Sequence, residues 1–89
     1  MPHRTLRIRN IKGLHARASA RLVEVVEAHD AQATVSREGM SSSGDSIMGL
    51  LMLAAGLGSD IEVETEGPEA AALLDAIDAL VADRFGEGE

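Results

Sequence analysis

The sequence predicts an α+β fold, an open-faced β-sandwich in which three helices cover one face of a four-stranded antiparallel sheet, in the order β-α-β-β-α-β-α. Two observations carry this. Three segments alternate polar and apolar residues with a single apolar face, and a fourth, short and polar, returns from a tight turn. Between them lie three segments whose apolar residues recur at helical spacing. Strands with one apolar face need cover on that face only. The 89 residues are read as one domain, 1–89, because a chain of this size buries roughly 60–65% of its unfolded surface and needs a single continuous core.

Thr5–Leu6–Arg7–Ile8–Arg9 reads as the first strand, with Leu6 and Ile8 inward, and residues 10–13 as a loop. Helix one is expected over Ala16 to His29 on the spacing of Ala18, Leu22, Val25, Val26 and His29, with Arg17, Arg21 and Glu24 opposite. Gln32 to Arg37 alternates again with Ala33 and Val35 inward, and Glu38–Gly39 is a turn leading into Met40–Ser43. Ser46 precedes the apolar run Ile47 to Ala55, which ends at Gly56 and Gly58, the pattern of a helix capped at both ends. Asp60 to Glu66 is the clearest strand, with Ile61, Val63 and Thr65 inward and three glutamates outward. Pro68 in a first turn opens helix three, whose stripe is Ala70, Leu73, Leu74, Ile77, Leu80 and Val81. Residues 86–89 are expected to be a frayed, flexible tail. The single aromatic, Phe85, leaves an aliphatic core.

Eight basic against fifteen acidic side chains give a net charge of −7. That balance argues against nucleic acid and against anionic membranes, since both need a basic surface. Seven of the eight basic residues nevertheless lie between Arg4 and Arg37, which suggests a focused anion site. There is no cysteine, which fits a reducing cytoplasm. The N-terminus lacks an apolar signal core, and Ile47 to Leu57 is too short to span a bilayer.

Gly13–Leu14–His15–Ala16–Arg17 stands at the start of helix one. The first turn of a helix presents unpaired N–H groups and the positive end of its dipole, both suited to phosphate. A neutral imidazole there offers a lone pair as nucleophile. Arg17 and Arg21, four residues apart, repel each other, and cations near a helix N-terminus cost roughly 0.3–1 kcal/mol each. A bound anion reverses both effects. Two readings of His15 stay open on this ground: a phosphate site, or a surface histidine beside solvated arginines. His3 and His29 have weaker claims, and no histidine pair has metal-ligand spacing, so neither metal nor cofactor is expected.

Ser46 is an N-cap, a phosphorylation site, or both. Helix two is apolar all round. In a two-layer fold Leu50, Leu53 and Ala54 are the residues most easily buried, leaving Ile47, Met48 and Leu51 near solvent. That face is either a docking surface, to which methionine is suited, or the buried face of a dimer.

Gly13-Leu-His-Ala-Arg17 together with Ser46-Ile-Met-Gly49 resembles the HPr family, the histidine-containing phosphocarriers of the phosphoenolpyruvate-dependent phosphotransferase system. The resemblance covers essentially the whole chain. It implies that His15 accepts a phosphoryl group, on Nδ1, from a phosphohistidine of Enzyme I and passes it to a histidine of an EIIA-type domain. Arg17 would neutralise the phosphoryl oxygens, and the amides of Ala16 and Arg17 would hold them. Ser46 corresponds to the family's regulatory serine, the target of HPr kinase/phosphorylase. Leu14, Ala20, Arg21, Ile47, Met48 and Leu51 match partner-contacting positions, and a monomer is implied. Ala18 replaces the family's usual proline, and Asp45 stands where many members carry lysine. Variants with His-Ala-Arg-Ala-Ser are similar to members of nitrogen-type regulatory systems as well as sugar-uptake ones. Competing readings are a small acyl-phosphate hydrolase with an arginine phosphate loop, and a non-catalytic signalling module acting through Ser46 and helix two.

Overall fold

In a computed structural model describing residues 2–87, four strands form one antiparallel sheet in the order β1-β4-β2-β3. The strands are β1 (His3–Arg7), β2 (Gln32–Arg37), β3 (Met40–Ser43) and β4 (Asp60–Glu66); the helices are α1 (Ala16–Glu27), α2 (Ile47–Met52) and α3 (Ala70–Ala82). The expected order and architecture hold.

Alternation decides which face is covered. Leu6, Ala33, Val35, Ile61, Val63 and Thr65 are buried on one face, against Ala18, Leu22 and Val26 of α1 and Leu73, Ile77 and Val81 of α3. Burying each large aliphatic side chain stabilises the fold by roughly 1.5–3 kcal/mol. The buried Thr65 hydroxyl donates to the Ala70 carbonyl at 2.7 Å. On the far face Thr5 and Ser36 both pair in register with Glu62, and Thr34 with Glu64, leaving the glutamates to water. Arg4, on the covered side, reaches Asp78 at 2.7 Å and Asp75 at 3.2 Å and so ties β1 to α3.

Several boundaries differ from expectation. β1 runs over residues 3–7 rather than 5–9. Ile8 is still 1% exposed, held by bonds between its backbone and those of Gly58 and Ser59 rather than by strand pairing. α1 stops at Glu27, so His29 lies beyond the helix, half-buried, with Nδ1 2.8 Å from the Val25 carbonyl oxygen. α2 stops at Met52, because Ala54 adopts φ +53. Leu50 and Leu53 are buried as expected, but that turn exposes Ala54, contrary to expectation, and buries Ala55 in its place. α3 begins at Ala70, and Pro68 lies in the preceding turn.

The largest departure is at the C-terminal end. Phe85 is 0% exposed, so the core is not purely aliphatic. Arg84, Phe85 and Gly86 all have φ between +54 and +76 and form a 3₁₀ turn. Left-handed backbone costs roughly 1–2 kcal/mol per non-glycine residue, and burial of the phenyl ring offsets it. Gly86 and Glu87, expected in a frayed tail, are instead folded back onto α1. Gly88 and Glu89 lie outside the described residues.

Candidate functional site

The loop before α1 is built around Gly13. Its φ is +67, and a Cβ there would lie 2.4 Å from the Ala55 carbonyl oxygen, so only glycine allows this approach. The next amide, Leu14 N–H, donates to that same oxygen at 2.8 Å. Within the loop the fully buried Asn10 side chain donates to the Gly13 carbonyl at 2.7 Å, while the Gly13 amide donates to the Asn10 carbonyl at 3.2 Å. These bonds lock the main chain just upstream of His15.

His15 is the N-cap of α1, extended in backbone (φ −78, ψ −176), and its side chain makes no capping bond. Among the described residues no acceptor takes the N–H of Ala16 or Arg17. The helix start therefore keeps its outward amides for an anion. The imidazole is 28% exposed, within reach of a visiting molecule.

A cleft of about 260 Å³ is lined by Lys12, His15, Arg17, Arg21, Gly86 and Glu87. Arg17 and Arg21 are exposed, and among the described residues no carboxylate pairs with either. Three cations and a histidine at the positive end of a helix favour an anion in this cleft.

One anion is already there. Glu87 contacts His15 Nε2 through Oε2 and accepts from Asn10 Nδ2 through Oε1 at 2.9 Å. Burial pushes the Glu87 carboxyl up. The hydrogen bonds from His15 and Asn10, with the charge of Lys12, outweigh burial and hold it below the usual carboxylate range.

This chain belongs to the HPr family. Residues 2–83 match the family profile described as PTS HPr component phosphorylation site. The chain is 48% identical over 89 residues, all of both chains, to phosphocarrier protein HPr of Cupriavidus necator. It is 42% identical over 84 residues, 94% of this chain and 92% of the other, to phosphocarrier protein NPr of Shewanella violacea. Among solved structures, HPr-C-His from Thermoanaerobacter tengcongensis superposes with a TM-score of 0.93 at 30% identity, covering 98% of each chain. As an HPr-family member the chain is a phosphocarrier and not an enzyme, so the hydrolase reading falls.

Of the residues singled out from the sequence, His15, Ala16, Arg17 and Arg21 come together at this site. Leu14 does not join the surface. It is 4% exposed and packs in the core, where the bond from its amide to the Ala55 carbonyl sets the side chain inward, so it offers a partner almost no surface. Ala20 is half-buried. On α2, Ile47 is 39% and Met48 71% exposed, with Leu51 half-buried. Ile11, Met52 and Leu57 are also exposed. Ser46 caps α2, its Oγ accepting from Gly49 N–H at 3.1 Å, and the neighbouring Asp45 accepts from the Ser43 hydroxyl.

Asn10, Lys12 and Glu87 were missed as site residues. Asn10 carried a weak signal, an asparagine three residues before a glycine in a loop. Glu87 lies 72 positions from His15. Its only pointer was the chain's sole aromatic two residues earlier, a natural anchor for the terminal segment.

Proposed function

We propose that His15 carries a phosphoryl group on Nδ1, taken from a phosphohistidine of Enzyme I and passed to a histidine of an EIIA-type domain. The observation that supports this best is the uncapped start of α1, with His15 exposed beside Arg17, Arg21 and Lys12. Transfer to or from phosphate proceeds through a loose transition state with charge spread over the equatorial oxygens. The amides of Ala16 and Arg17 and the Arg17 guanidinium hold those oxygens, and positioning with charge stabilisation does the catalysis. The donor or acceptor protein completes the site.

Partners dock on the exposed apolar surface of Ile47 and Met48, with Arg21 and Ala20 at its α1 side. The chain acts as a monomer in the cytoplasm, which leaves that surface open. Among the described residues no helix is long and apolar enough to cross a membrane. Ser46 is the second point of control, a target for HPr kinase/phosphorylase. A phosphate there would displace the Gly49 bond and face Asp45, so this regulation is weaker than where a lysine occupies that position.

The likeness to an NPr supports a second reading of the physiological role: a nitrogen-type regulatory relay instead of sugar uptake. The same His15 chemistry serves both, and the EIIA domain that accepts the label separates them.

The test is incubation with Enzyme I and labelled phosphoenolpyruvate. One acid-labile, base-stable phosphate per chain is expected, and none on His15→Ala. Label retained by His15→Ala, or continuous release of inorganic phosphate, overturns the carrier reading.

A further inference from the structure

Glu87 touches the reacting ring yet has no part in the transfer just described. We propose that Glu87 is a positioning residue for His15: its carboxylate holds the ring proton on Nε2 and so keeps the lone pair on Nδ1. This deepens the carrier reading and rests on it for the direction of transfer.

Donor and acceptor bookkeeping fixes the tautomer. An ionised carboxylate only accepts hydrogen bonds. Asn10 faces two acceptors, the Gly13 carbonyl and Glu87 Oε1, so both its contacts come from the amide NH₂ and its orientation is set. Glu87 Oε2 is then left for His15, and the ring nitrogen facing it must be the donor. In the neutral ring, a proton on Nε2 puts the lone pair on Nδ1. The same logic lets a buried carboxylate fix the working tautomer of a catalytic histidine elsewhere.

The carboxylate is held as a designed partner would be. Its side chain is 10% exposed. Phe85 anchors the turn that delivers it, the Gly86 and Glu87 amides bond back to Asp83 and Arg84 at 3.0 Å, and Gly86 lies against the Arg21 guanidinium. Lys12, Arg17 and Arg21 face the same cleft and keep a negative group favourable there.

The step balances without moving a proton. The Nδ1 lone pair forms the new N–P bond while the donor's N–P bond breaks and its electron pair stays on the donor nitrogen. The His15 ring then carries positive charge with its proton still on Nε2, beside the Glu87 carboxylate that offsets it. On the outward transfer the N–P pair returns to Nδ1, and the neutral ring is restored.

The test combines ¹⁵N resonances of the His15 ring with the rate of phosphoryl transfer from Enzyme I, in the native protein, Glu87→Ala and Glu87→Gln. Alanine removes the acceptor; glutamine presents one acceptor and one donor where the carboxylate presents two acceptors. The native ring should be protonated on Nε2. Alanine should relax the ring to the tautomer mixture of a free imidazole, and glutamine, which turns an amide donor to the ring, should move the proton toward Nδ1. Both should transfer on the order of tenfold more slowly, the cost typical of removing a group that orients a reacting ligand. Thermal unfolding reports whether each variant keeps its fold, and glutamine, the nearest in shape, decides if alanine does not. A native ¹⁵N pattern with a native rate in a folded variant overturns the assignment. Failure of the native protein to take label sinks the carrier reading instead, while the ring resonances still decide the role of Glu87.

Discussion

α1 and α2 both begin at a polar residue in extended backbone, and the two starts are built for opposite ends. At α2 the Ser46 hydroxyl accepts from Gly49 N–H, so the helix satisfies one of its own amides. Gly49 lets α2 lie close to β3, since a Cβ there would come within 2.1 Å of the Ser42 hydroxyl oxygen and force that side chain to turn away. At α1 the capping residue is His15, its side chain is turned to Glu87, and the first amides are left open. Cations line the open start, while the carboxylate of Asp45 stands beside the closed one. A helix N-terminus is therefore not a phosphate site by itself. It is suited to one when the cap is withheld and the ring and charges around it are held by other elements.

The largest effect is expected from breaking the buttress of the open start. Phe85→Ala removes a fully buried ring and should destabilise the fold by about 3–5 kcal/mol, read from the urea unfolding midpoint. It should also free Glu87 from His15. A cost well below 1 kcal/mol would mean that the C-terminal turn is an ornament.

Two smaller changes should dissociate the helix starts. Arg17→Ala should slow transfer by roughly 10–100-fold, the worth of one charge-assisted contact. Stability should hold or rise slightly, because a cation leaves the positive end of α1. Ser46→Ala should do the reverse, costing about 1 kcal/mol of stability with the His15 transfer rate unchanged. Parallel behaviour of the two variants would erase the distinction drawn between the helices.

Strand alternation and helix spacing made the layers legible, because burial on one face imposes period on the sequence. The five-residue motif at His15 and the serine cap of α2 were legible because they are local. The ends of α1 and α2 were not. No glycine or proline marks either end: α1 gives way after Ala28, still in helical backbone, and α2 is stopped by the positive φ of Ala54. Leu14 was misjudged because its inward direction is set by a bond to Ala55, a contact between distant segments. Glu87 was illegible for the same reason. A Gly-Glu-Gly-Glu ending has the composition of a tail, and contacts between distant segments, the burial of Phe85 and the bonds of Glu87 to Asn10 and His15, pin its first half to the site.

The most direct measurement is the position of phosphorus on the ring, from ³¹P–¹⁵N coupling in ¹⁵N-labelled protein charged by Enzyme I. Coupling to Nδ1 of His15 is the predicted result. Phosphorus on Nε2, or on a residue other than His15, would contradict the account.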